Sequence, residues 1–235
     1  MGRTIVIGDL HGCYDEAVEL LRQLAAAPSD RVIFAGDLID RGPKPRACVE
    51  LAMQHECILG NHEQRHLNQR LFPSFLLSAD HQATRKALDD RHFEYFTKLP
   101  SLLRLPEHNA AVVHAGGFPG VPLDAQANRH LLHIQNIKPP GKKTVWPSKA
   151  PADFTFWANF WNGPERLIFG HTVLSAPLIL PHAVGIDTGA VFGHGLTAVI
   201  LPEWKIFTLP TPDYSGGKHK RFGRYPIHGD VTAYS

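Results

Sequence analysis

The chain has 235 residues, 43% of them hydrophobic, and its 24 basic and 22 acidic side chains leave a formal charge of +2. That length can bury a full-sized core, no apolar run approaches the roughly 18 residues of a membrane span, and the charge balance gives no field to favour nucleic acid or membrane as a partner. The three cysteines, Cys13, Cys48 and Cys57, show neither CxxC nor disulfide spacing, which fits a reduced, cytoplasmic setting, and the first residues run straight into a strand pattern without a signal-peptide profile.

Thr4 to Ile7 reads as a short β-branched strand that ends at Gly8 and Asp9. Apolar residues at helical spacing, opened by Asp15 and Glu16, predict a helix over 15–27. A second strand over 31–35, a helix over 46–53 delayed by Pro43 and Pro45, and a third strand over 57–59 follow. Strand, helix, strand, helix, strand in this order indicates a parallel α/β sheet. Residues 63–98 read as helical with a break at Pro73, and 111–113 as a strand ending in His114. The stretch 120–164 is loop-rich and carries an aromatic cluster, Phe154, Phe156, Trp157, Phe160 and Trp161, read first as core and second as a platform for a nucleobase. A strand over 166–169 ends at Gly170 and His171. Further strands over 182–186, 196–201 and 205–209 suggest a mostly antiparallel second sheet. The expected architecture is α/β, with two central β-sheets between helical layers, as one domain over 1–211 and an irregular tail over 212–235.

The informative feature is what terminates the strands. Five apolar segments end in GDLHG (8–12), GDLIDRG (36–42), GNHE (60–63), HAGG (114–117) and GHT (170–172). Ligands of open α/β sheets sit beyond the carboxyl ends of the strands, so these clusters can converge on one rim. Fifteen histidines in the chain make imidazole a ready donor. Asp9, His11, Asp37, Asn61, His114 and His171 offer a mixture of nitrogen and oxygen that suits Mn²⁺, Fe or Zn²⁺ better than Ca²⁺. Six donors exceed the needs of one tetrahedral ion; two divalent ions bridged by Asp37 use all of them.

As a set these motifs resemble the calcineurin-like metallophosphoesterase superfamily, of the phosphoprotein phosphatase type that includes Ser/Thr phosphatases and symmetrical diadenosine tetraphosphatases. The resemblance runs from Gly8 to Thr172, and IDTGAVFGHGLTAVIL (186–201) is similar to the family's closing strands. It implies a dinuclear centre, with Asp9, His11 and Asp37 on one ion and Asp37, Asn61, His114 and His171 on the other. It also implies His62 as the acid that protonates the leaving group, oriented by Asp40, and Arg41 as a planar fork for phosphoryl oxygens. No clear match to the second phosphate-binding arginine of the family is found; Lys149 is the loose candidate.

The substrate divides the readings. GDLIDRG with Asp40, together with GNHE, looks like the Ser/Thr protein phosphatase branch, a phosphomonoesterase acting on phosphoprotein. The short chain, the GCYDE continuation and the missing arginine suit the alternative, a bis(5'-nucleosyl)-tetraphosphatase acting on a dinucleoside polyphosphate. A distant alternative is a nucleic-acid-binding protein with a structural metal, suggested by the basic run GGKHKRFGR (216–224).

Overall fold

The structure is a computed structural model that describes residues 2–74, 76–138, 143–145 and 153–217. In chain order its strands are β1 (Thr4–Ile7), β2 (Arg31–Phe34), β3 (Glu56–Cys57), β4 (Leu102–Leu105), β5 (Ala110–Val113), β6 (Asn136–Lys138), β7 (Lys143–Val145), β8 (Thr155–Phe156), β9 (Arg166–Phe169), β10 (Leu178–Ile179), β11 (Ala183–Gly185), β12 (Leu196–Leu201) and β13 (Lys205–Leu209). The α-helices are α1 (Tyr14–Gln23), α2 (Pro45–Ala52), α3 (Asn61–Leu71), α4 (Ala79–Ala87), α5 (Asp90–Lys98) and α6 (Asn128–His133).

Side-chain alternation along the strands sets the layers. On β1, Ile5 and Ile7 face Ala17 and Leu20 of α1 and Val49 of α2, whereas Val6 packs between the sheets with Val112, Ile168 and Val184. On β5, Ala110 and Val112 face that same inner layer, and Ala111 and Val113 turn outward to Phe156, Trp157 and Trp161. Both faces of each sheet are therefore covered, which explains why the strands are apolar without interruption.

The first sheet has the order β13-β12-β1-β2-β3 and the second β10-β11-β9-β5-β4. β1, β2 and β3 are parallel, as are β5, β9 and β11, while β12, β13, β4 and β10 join antiparallel. This corrects the expected mostly antiparallel C-terminal sheet. β12 returns to pair with β1, Thr4 opposite Leu201, and β11 lies parallel to β9 in the other sheet. Consecutive apolar strands joined by turns do not reveal that they part company, because the pairing partners lie far away in the sequence.

Local chemistry supports the helices. Pro45 opens α2, where a missing N–H costs nothing, and Asp15 and Glu16 sit in the first turn of α1 with Arg22 in the last. The aromatic cluster is core apart from Phe160: Phe154, Phe156, Trp157 and Trp161 are buried, and Trp157 meets Phe169 edge-on at 5.0 Å. Within the expected tail, Asp213 bridges to Phe192 and the Tyr214 hydroxyl donates to Glu16 at 2.6 Å. Lys149 and residues 218–224 of the basic run lie outside the described residues.

Trp157→Ala is expected to lower unfolding stability by about 3–5 kcal/mol through lost burial and a residual cavity, read as a shift in the urea midpoint. A change below about 1 kcal/mol would return the ring to the role of a surface platform.

Candidate metal centre

The six parallel strands all run toward one rim. Asp9 follows β1, Asp37 follows β2, Asn61 opens α3 after β3, His114 follows β5 and His171 follows β9. The end of β11 adds Asp187, buried with the others. Asp187 escapes a sequence reading that makes β11 antiparallel; the signal for it is the IDTG stretch at 186–189, which ends an apolar strand in the same way as the other five.

The loops are tied to each other through the backbone. Leu10 and His11 N–H donate to the carbonyl of Asp37 at 3.1 and 2.8 Å, and Gly12 N–H donates to Leu38 at 2.9 Å. The oxygens of the fully buried Glu63 carboxyl group accept from Asp37, Leu38 and Gly60 N–H at 3.0, 2.9 and 3.0 Å, fastening the second motif to the third. Two glycines are required by close approach. A Cβ on Gly60 would lie 2.2 Å from Asp37 N, and one on Gly170 would lie 2.0 Å from Asp9 Oδ1. His11, Asp37, Asp40, Arg41 and His171 all hold left-handed backbone, with φ of 45, 49, 68, 69 and 64°. Such conformations are costly for non-glycine residues, and their concentration at one rim marks a site that the surrounding structure over-determines.

Two groups converge on Asp37. His11 and His62 form one with it and His114 and His171 the other, and within each group the candidate donor atoms lie within 4.8 Å of one another. His11 Nδ1 contacts the Ile39 carbonyl at 2.8 Å and turns Nε2 toward Asp37 Oδ2 at 3.6 Å. His114 Nδ1 contacts the Ala35 carbonyl at 2.8 Å, and its Nε2 lies 3.4 Å from Asp37 Oδ1 and 2.9 Å from Asn61 Oδ1. Backbone carbonyls thus fix both ring orientations, as they do for metal-ligating histidines. His171 Nδ1 is 2.8 Å from Asn61 Oδ1, and Asp9 accepts the His171 backbone N–H at 3.1 Å while standing 4.0 Å from His11 Nε2. The six donors expected from sequence are therefore together.

Beside them, His62 Nδ1 contacts Asp40 Oδ2 at 2.6 Å, and Arg41 reaches His62 Nε2 at 3.1 Å and also touches His11 Nε2. His66 and His81, which sequence reasoning passed over, close on the same Asp40: His66 Nε2 is 3.0 Å from Oδ1 and His81 Nε2 is 3.3 Å from Oδ2. A signal was available, since His62 and His66 are four apart on one helix and so share a face.

Charge at the rim is unbalanced. Burial, then Asp187, pushes the Asp9 carboxyl well above its ordinary value; burial pushes Asp187 up to about 6, and burial with Asp37 pushes Glu63 up to about 8. Burial also acts on Asp37, but His114 and His62 overcome it and hold that carboxyl well below the usual range. Burial likewise keeps His11 and His171 neutral, the form that ligates metal. Crowded carboxylates that resist ionisation beside neutral imidazoles fit divalent cations, whose charge would relieve the crowding.

A stability dependence follows for protein stripped with a chelator. Glu63 is raised from 4.5 to about 8, and His114, held protonated by Asp37 against the effect of burial, from 6.5 to about 10. Both retain a proton in the folded state that the unfolded chain has released, so stability falls as pH rises from about 7 to 10. The melting temperature of stripped protein is expected to fall over this range and to fall less with added Mn²⁺; a flat or rising profile without metal would contradict the charge balance described.

Known proteins share the sequence pattern and the fold on which these residues sit. Among curated proteins the chain is similar to the bis(5'-nucleosyl)-tetraphosphatase PrpE [asymmetrical] of Oceanobacillus iheyensis, 27% identical over 84% of this chain and 88% of that one. It is 26% identical to the protein of the same name from Bacillus mycoides, over 88% and 93%. A crystal structure of a protein provisionally named a diadenosine tetraphosphatase superposes with a TM-score of 0.79 at 28% identity, covering 89% of this chain and 94% of that one. A Ser/Thr phosphatase from Saccharomyces cerevisiae shares the fold, with a TM-score of 0.55 at 17% identity, over 90% and 81%. The family model for calcineurin-like phosphoesterases matches residues 2–194, and the chain belongs to that family of phosphoric ester hydrolases.

Proposed function

We propose that the chain hydrolyses dinucleoside polyphosphates at a centre for two divalent metal ions, with manganese as the expected occupant and iron or zinc as alternatives. The observation that carries the metal reading is the pair of donor groups that share Asp37. The substrate reading is supported by the names of the relatives at 26–27% identity, which favour the nucleotide alternative over the Ser/Thr phosphatase put first from sequence. Asp9, His11 and Asp37 would hold one ion, and Asp37, Asn61, His114 and His171 the other. The His11–His62–Asp37 grouping is read differently: His62, with Asp40 at its Nδ1, is assigned to proton transfer, as the family resemblance implies. Bound divalent ions supply a nucleophilic water at neutral pH and offset charge on the phosphoryl oxygens.

The chain's own residues do the rest. Arg41 is exposed, so its guanidinium can leave His62 and His11 and grip two phosphoryl oxygens. His62 then turns a free Nε2 toward the leaving oxygen, with Nδ1 held by Asp40, and delivers a proton from Nε2. Burial acts against the charge on Asp40, but the hydrogen bonds of His62 and His66 outweigh it and keep the carboxyl far below its ordinary range.

That arrangement favours a second reading as well. A departing nucleotide phosphate is stable as an anion and needs little protonation, whereas an alkoxide departing from a phosphoserine or phosphothreonine needs a proton badly. A well-built His62–Asp40 pair therefore suits a phosphomonoester of a protein side chain.

The test compares kcat/KM for diadenosine tetraphosphate and a phosphothreonine peptide with manganese present. A tenfold preference for the nucleotide, about 1.4 kcal/mol in transition-state stabilisation, is expected, with AMP and ATP as products if cleavage is asymmetrical and two ADP if symmetrical. A tenfold preference for the peptide would instead establish the second reading. Arg41→Ala is expected to raise KM roughly tenfold, worth about 1.4 kcal/mol of substrate binding, and an unchanged KM would remove Arg41 from the phosphate site. His62→Asn is expected to cost about 10²–10⁴-fold in kcat on the peptide and less on the nucleotide; equal losses would deny it the role of acid.

A further inference from the structure

Asp40 is fully buried and meets three histidines from two helices. His62 and His66 come from one face of α3, and His81 comes from α4. His66 has no exposed surface, and its Nδ1 meets no hydrogen-bond partner among the described residues. The ring's proton therefore belongs on Nε2, where it can be donated to Asp40 Oδ1 at 3.0 Å. His81 has Ser78 Oγ against Nδ1, lies 3.3 Å from Asp40 Oδ2 through Nε2, and stacks on the His62 ring with centroids 5.3 Å apart and planes 19° apart.

These contacts divide the work. A carboxylate with one partner can swing about its Cβ–Cγ bond, and its second oxygen would be buried without a donor. Occupation of Oδ1 by His66 fixes the carboxylate plane, so that Oδ2 stays aimed at His62 Nδ1. His81 then covers one face of the His62 ring and restricts its tilt.

We propose that His66 and His81 are positioning residues for the leaving-group acid: they hold Asp40 and His62 so that His62 Nε2 points at the departing oxygen. This rests on the reading of His62 as that acid. His66 and His81 act through Asp40 and the His62 ring, and the proton transferred is the one on His62 alone, which passes from Nε2 to the leaving oxygen as the P–O bond breaks.

Fall in activity alone would not separate positioning from general damage; leaving-group dependence does. Phenyl phosphate leaves poorly and needs the proton, whereas dinitrophenyl phosphate leaves well without it. The manganese-loaded full chain is assayed on both, and the ratio of kcat/KM values is compared among wild type, His62→Asn, His66→Leu, His66→Gln and His81→Leu. Because both substrates are measured on one preparation, the ratio does not depend on how much of a variant folds. His62→Asn should depress phenyl phosphate at least about tenfold more than dinitrophenyl phosphate. His66→Leu and His81→Leu should shift the ratio in the same direction, and His66→Gln, whose amide can still donate to Asp40 Oδ1, should restore much of it. Equal losses on both substrates in both leucine variants, with a shifted ratio in His62→Asn, would overturn the positioning role. An unshifted ratio in His62→Asn would overturn the acid reading itself, and the proposal with it.

Discussion

One buried carboxyl group, that of Glu63, fixes the spacing on which the whole rim depends. By accepting three backbone N–H groups it sets the loop after β2 against the N-terminus of α3, and so places Asp37 beside Asn61 and Asp40 beside His62. Backbone amides are inflexible partners, so the two motifs cannot slide past each other while those bonds last. Gly60 makes the approach possible, since any side chain there would occupy the space of Asp37 N. The second constraint is the Asp37 carbonyl, which accepts from Leu10 and His11 and thereby draws in the loop after β1. The geometry of the candidate metal donors is thus built mainly by main-chain hydrogen bonds, and their side chains ride on loops that are tied to one another.

Much of this was legible in the sequence, for a definite reason. A glycine and a polar cluster after each apolar run is a local pattern, and it needs only the rule that parallel strands deliver their ends to one rim. Asp9, Asp37, Asn61, His114 and His171 stand out in that way, and the strand ends bring them to one rim. What failed was pairing over distance. Nothing local distinguishes β11, which joins β9 in parallel, from β12, which crosses to β1, and the error hid Asp187. His66 and His81 escaped for a different reason: a histidine among Gln, Arg and Leu on a helix reads as surface, and only the inward turn of Asp40 in left-handed backbone converts those positions into partners of a buried charge.

Electrostatics and backbone strain at the rim point the same way. Carboxylates that resist ionisation, neutral imidazoles and five non-glycine residues at positive φ are each unfavourable for folding. They persist because two sheets and their outer layers hold the rim from behind. The core between the sheets, with Val6, Ile33, Val112, Ile168 and Val184, is made of small branched residues that pack closely and leave the strand ends little freedom.

The placement of β1 has a consequence for the order in which the molecule can be made. β1 lies between β2 and β12, so the strand that carries Asp9 and His11 toward the rim gains its second neighbour from residues 196–201. During synthesis the first three motifs emerge early, yet the sheet beneath them stays open on one side until nearly the whole folded region has left the ribosome. Alignment of the Asp9 and His11 loop therefore waits for β12, and a nascent chain halted before that strand carries the first three motifs without the platform that aligns them.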